Sequence, residues 1–190
     1  MAGLGLPWRQ AECAESLHPR LEGNLLHVST TQLHFLTGKP LERLHNGASV
    51  AFNAQLSLSL ERGSAAVERS LERFVVSYDL WEEKFSASRL SQPPRSVSHL
   101  SAPAAEAWCL SNLAVPVSTL APDQAFWLRL ELRAEDPRER PAVLGEPGIS
   151  LTRLIELFSR PSRGGQPSWV LEDGPFRLAD LNKAKRSGSG

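Results

Sequence analysis

A chain of 190 residues is long enough to bury a sizeable core and suits one domain rather than several. Apolar residues make up 41% and charged residues 22%, which excludes a mainly disordered or fibrous chain. Lys and Arg number 21 against 21 Asp and Glu, so no net field draws nucleic-acid phosphates or an anionic membrane surface, and nucleic acid is set aside as a partner.

No run approaches the ~18 consecutive apolar residues that span a bilayer, so no transmembrane segment is expected. The N-terminus also lacks the basic-then-apolar pattern of a signal peptide. Ser187-Gly188-Ser189-Gly190 reads as a flexible linker and Met1-Ala2 fits an added start. The expected location is therefore periplasmic or extracellular if a leader was trimmed, and cytoplasmic otherwise. Cys13 and Cys109 are too far apart for a CxxC redox or zinc signature. In an oxidising compartment they can form one disulfide; in a reducing one Cys109 is a small buried hydrophobe.

A single domain is expected over residues 1–186, with an N-terminal arm at 1–23 and a globular core at 25–181. Pro7, Pro19 and Gly23 interrupt any period in the arm. Leu25 to Phe35, rich in β-branched and apolar residues, predicts a strand. Pro40, Leu41 and Leu44 followed by Asn46-Gly47 predict one or two helical turns, with Pro near the start and Gly past the end.

The clearest period comes next. Val50, Phe52, Ala54, Leu56, Leu58 and Leu60 alternate with Ala51, Asn53, Gln55, Ser57, Ser59 and Glu61, which predicts a long half-buried strand. After Gly63-Ser64, residues 67 to 90 predict a second long strand carrying Phe74, Val76, Tyr78 and Leu80 on one face. Trp81 and Phe85 fall on the opposite parity, so a bulge is expected near residues 80–83. The two segments together read as a hairpin of antiparallel strands.

Pro93-Pro94 breaks the pattern, and Ser96 to Leu100 is a short extended piece. Ser101 and Pro103 open a helix with Ala105, Trp108, Cys109, Asn112 and Leu113 on one face, ended by Pro116. Phe126, Leu128, Leu130 and Leu132 alternate with Trp127, Arg129, Glu131 and Arg133, a one-sided strand whose other face is charged and wet. Residues 134–148 have the composition of a surface loop. Ser150 then caps a helix whose core face carries Leu151, Leu154, Ile155 and Phe158, up to Pro161. Past Gly164-Gly165, Trp169 to Leu171 and Phe176 to Leu178 predict a pair of short strands or one interrupted edge strand, and the rest is tail. The fold class is mainly β (α+β): an antiparallel twisted sheet or a two-layer β-sandwich with two or three short helices packed on it.

The order of a short helix ending in LERLHNGASV, the strand VAFNAQLSLSL and the segment RFVVSYDLWEEKFSASRL resembles an uncharacterised bacterial envelope family, domain of unknown function 4390. Leu44-His45-Asn46-Gly47 and Val75-Val76-Ser77-Tyr78-Asp79-Leu80 occupy the places of that family's helix-to-strand and strand motifs, over about residues 25–135. Trp81 and Phe85 stand where the family tends to carry a threonine and a tyrosine. The resemblance implies an extracytoplasmic location and brings no activity.

His18, His27, His34, His45 and His99 show no zinc-ligand spacing, and no GxSxG elbow, GxGxxG fingerprint or phosphate loop occurs. No cofactor or metal is expected. Glu82-Glu83 beside Trp81 reads either as an acid-base pair or as a solvated charged edge that resists strand aggregation. Neighbouring strand residues point to opposite faces, so one of Tyr78 and Trp81 is a contact residue unless a bulge intervenes, and Trp81 is the choice. Trp81, Tyr78, Glu82, Glu83 and Phe85 are thus the candidate contact residues. The uncharged polar face of residues 51–61 is either an occluded layer or a docking face. The expected function is a non-catalytic envelope binding domain that uses the hairpin 50–90 against a protein partner or an apolar small ligand. A hydrolase with a dispersed site and a structural subunit of a larger assembly, including a homo-oligomer, are the alternatives.

Overall fold

Alternating apolar side chains set the largest sheet of the computed structural model, which describes residues 17–135 and 167–187. Strand β3 (Val50–Ser59) turns its Phe52, Ala54, Leu56 and Leu58 fully inward. It pairs antiparallel with β4 (Glu68–Asp79) on one side and with β8 (Phe126–Ala134) on the other. Beyond β4 lie β5 (Lys84–Arg89) and β6 (Arg95–Leu100), and beyond β8 lies β9 (Ser168–Phe176). The six-stranded order is β6-β5-β4-β3-β8-β9, antiparallel throughout.

The second layer is smaller. Strands β1 (His18–Glu22), β2 (Leu25–Ser29) and β7 (Ala114–Pro116) form an antiparallel sheet in the order β1-β2-β7. Helix α1 (Gly38–His45) packs on β3 and β4, and helix α2 (Ala102–Ser111) on β2, β5 and β6. Leu26 and Val28 of β2, Phe35, Leu44 and Leu113 close over Phe52, Phe74 and Val76 in one apolar cluster. The protein is therefore mostly β, with two antiparallel sheets and short helices, as the periodicities predict. Helix starts and stops follow local chemistry: Ser101 Oγ accepts from the Ala104 N–H at the head of α2, and Gly47 at φ +78 closes α1.

Several expectations are corrected. Residues 67–90 do not form one bulged strand; they fold as the hairpin β4–β5, with residues 80–83 as its turn. The strand expected from Leu25 to Phe35 stops at Ser29, because the chain beyond it bonds to the buried carboxylate of Glu106. That carboxylate accepts the Leu36 N–H at 2.7 Å and faces His34 Nδ1 at 3.0 Å. Part of the expected arm, residues 18–22, is paired as β1. Helix α2 ends at Ser111, where the Asn112 amide caps the Trp108 carbonyl, and Pro116 lies in β7. The C-terminal tail contains helix α3 (Leu178–Ser187), seated by buried Leu178. Of the two forms foreseen for the last strands, the single interrupted one is present, with a register shift between Phe126 and Leu128. The helix carrying Leu154 and Phe158 and the loop from 136 lie outside the described residues, as does Cys13.

The polar face of β3 is not open. Asn53, Gln55, Ser57 and Ser59 are all buried; Asn53 lies in register between Arg73 and Arg133, and Ser57 between Arg69 and Arg129. Glu135 shows how this face is closed. It accepts from Asn53 Nδ2 at 3.0 Å and takes a two-pronged bond from Arg73, both at 2.7 Å.

Candidate functional site

The tip of the β4–β5 hairpin gathers most of the sequence-expected contact residues, and the fold divides them sharply. Tyr78 and Phe85 face each other across the strand pair with ring centroids 4.8 Å apart. Tyr78 is half-buried and also packs on His45 at 4.6 Å, and Phe85 is buried, so both rings pack toward the core below the exposed tip. Trp81 is 96% exposed and its neighbour Leu80 55% exposed. Glu82 and Glu83 are exposed beside them.

The turn is held although it contains no Gly, Pro or Asn. Asp79 Oδ1 accepts the backbone N–H of Trp81 at 2.8 Å and of Glu82 at 3.0 Å. Glu83 takes the left-handed conformation at φ +53, and Glu82 Oε2 pairs with His99 Nε2 of β6 at 2.9 Å. The N–H of Glu82, then that of Trp81, holds the Asp79 carboxyl below its usual range, with a smaller contribution from His99. An anionic Asp79 thus fixes the backbone under Trp81 at neutral pH.

A second feature lies on the buried polar face, where a cavity of about 220 Å³ opens at the end nearest the β3–β4 turn. Gln55 and Ser57 line it from β3, Arg69 from β4, Arg129 and Glu131 from β8, and Glu172 from β9. Arg129 Nε donates to Glu131 Oε1 at 2.7 Å, and Arg133 approaches the other oxygen of Glu131 at 3.5 Å. Sequence alternation marks Arg129, Glu131 and Arg133 as a wet face, yet Glu131 is buried, because Arg129 and Arg133 on the same face of its own strand supply its counter-charges. No spacing in the sequence reveals that Arg69 and Glu172, 103 residues apart, line the same cavity.

Cys109 is a free thiol buried in α2, and burial, reinforced by the nearby Glu106 charge, pushes it up to about 12. It stays protonated and a poor nucleophile at neutral pH. Among the described residues no three His, Cys, Asp or Glu side chains converge as a metal site. His34 and Glu106 are paired, but the carboxylate is committed to the Leu36 backbone as well. No family model, curated protein or solved structure matches this chain.

Proposed function

We propose that this domain is a non-catalytic recognition module of the bacterial envelope that grips a protein partner through the β4–β5 tip, with Trp81 as the anchor. The observation that carries this is a tryptophan 96% exposed on a turn already fixed by two hydrogen bonds from its own backbone. Large aromatics supply most hot-spot energy, and a pre-ordered loop loses little entropy on binding. Leu80 widens the apolar contact, while Glu82 and Glu83 leave the tip acidic, which suits an apolar cleft with a cationic rim. The envelope location rests on the sequence resemblance of residues 25–135. Among the described residues no helix is long and apolar enough to cross a membrane.

Trp81→Ala should leave unfolding within about 0.5 kcal/mol of the parent, as an exposed surface change does. It should weaken partner binding by about 2 kcal/mol or more. Affinity capture from an envelope extract compares the parent, Trp81→Ala and Val67→Ala, the last removing an exposed apolar residue away from the tip. Proteins retained by the parent and Val67→Ala but lost with Trp81→Ala support the tip. Equal capture by all three, or a stability loss of ~3–5 kcal/mol for Trp81→Ala, which would mark it as a buried side chain, overturns it.

A further inference from the structure

The cavity on the polar face has an unusual balance of charge. Antiparallel register sets Arg69 opposite Ser57, Ser57 opposite Arg129, and Arg129 opposite Glu172, one row across four strands. Residues directly opposite share a face, and strands lie ~4.8 Å apart, so this row spans roughly 14 Å between its end residues. The next row places Gln55 opposite Glu131. At one end the β3–β4 turn reaches across the face, where the Gly63 N–H donates to Glu172 Oε1 at 2.9 Å.

Arg129 is shared between two carboxylates: it is bonded to Glu131, which also meets Arg133, and it forms a looser ion pair with Glu172. Of the two outer charges, only the cation is left over. Arg69, exposed at the rim, has no ion pair or hydrogen bond among the described residues. Glu172 is bonded through Oε1, but its Oε2 lies 3.9 Å from Arg129 Nη1, beyond hydrogen-bond distance. Between them is a polar floor with unused capacity. Gln55 is only 6% exposed, its Oε1 has no donor, and its Nε2 makes a single long bond of 3.4 Å to Ser57 Oγ. Whichever way that amide is turned, one end lacks a partner, a costly condition for a buried group.

A free cation on one wall, a carboxylate on the other whose second oxygen is held only by a 3.9 Å ion pair, and the amide of Gln55, the hydroxyl of Ser57 and the already paired Arg129 between them complement a molecule that carries both charges. A cavity of ~150 Å³ takes a benzene-sized molecule, so 220 Å³ holds about nine heavy atoms by proportion. We infer that this cavity binds a small zwitterion of amino-acid size, its carboxylate held by Arg69 and its ammonium by Glu172. The site is independent of the Trp81 tip.

Isothermal titration of the whole chain with glycine, L-serine, L-glutamine, β-alanine and 4-aminobutanoate tests this, the last two probing wider charge spacing. At least one should bind with a dissociation constant at or below about 1 mM, near 4 kcal/mol. Its N-acetyl derivative, which lacks the ammonium, and the corresponding amine, which lacks the carboxylate, should each bind at least tenfold more weakly. Arg69→Ala removes an exposed side chain, so it should keep the parent's unfolding midpoint and still lose at least tenfold. No heat from any of the five up to roughly 10 mM overturns the inference. So does equal binding of the N-acetyl form, which would mark a plain anion site, or binding unchanged in natively folded Arg69→Ala.

Discussion

Phe52→Ala is expected to lower stability by about 3–5 kcal/mol, the range of a fully buried phenylalanine truncation. Phe52 is fully buried in the central strand, edge-on to Phe35 at 4.9 Å and 6.4 Å from the Trp169 ring, so its removal empties space on the six-stranded sheet, the covering loop and β9 together. The covering loop and the edge strand β9 would both have to shift to refill that volume, and the site therefore collapses poorly. For a chain of this length each kcal/mol moves the thermal midpoint by ~2–4 °C, so a fall of about 10 °C should appear in a calorimetric scan. A midpoint within a degree or two of the parent would contradict the face assignment of β3.

Gly174→Ala should cost about 3 kcal/mol or more, although it adds one methyl group. Gly174 sits at φ +146, a region that other residues enter only under strain of ~1–3 kcal/mol. The added Cβ would lie 3.0 Å from the Phe126 carbonyl oxygen and 3.0 Å from two atoms of the Trp127 ring. The carbonyl belongs to a backbone fixed in the sheet and cannot swing aside, so overpacking adds a further ~1–3 kcal/mol. The shift would also reach Asp173, which accepts the Leu17 N–H at 2.9 Å, and Glu172 on the cavity wall. Chemical denaturation measures the loss, and a value below about 1 kcal/mol would show that the strand interruption accommodates a side chain.

The sequence made the two long alternations legible, because Phe52 to Leu58 and Phe126 to Leu132 each put their buried apolar residues on one face, Trp127 alone falling on the other. It made the start of α2 legible for a different reason: Ser101 and Pro103 act locally, through a cap and a fixed φ. The β4–β5 turn was hidden because the usual signals are absent. Asp79 supplies the turn bonds with its side chain and Glu83 accepts a left-handed backbone, so Leu80 to Glu83 read as more strand. Trp81 was nonetheless identifiable from the parity slip, since a change of phase must expose something. The cavity was hidden for a deeper reason. Its walls come from β3, β4, β8 and β9, and only inter-strand register, which no local pattern encodes, brings Arg69 and Glu172 to one row.

The position of β3 also orders events in time. On one side it pairs with β4, the next strand in the chain, and β5 and β6 continue as neighbours; on the other it waits for β8, which joins Phe52 to Ala134. Closing the longer loop costs entropy before any contact repays it, so residues 50–100 should gather first and β8 with β9 should dock later. Stopped-flow kinetics should then show Leu56→Ala slowing folding and Leu171→Ala mainly speeding unfolding, and the reverse partition would contradict this order. The cavity would exist only after the late strands have arrived, so a ligand bound there would act as a latch on the last two strands of the sheet to form and the first to leave.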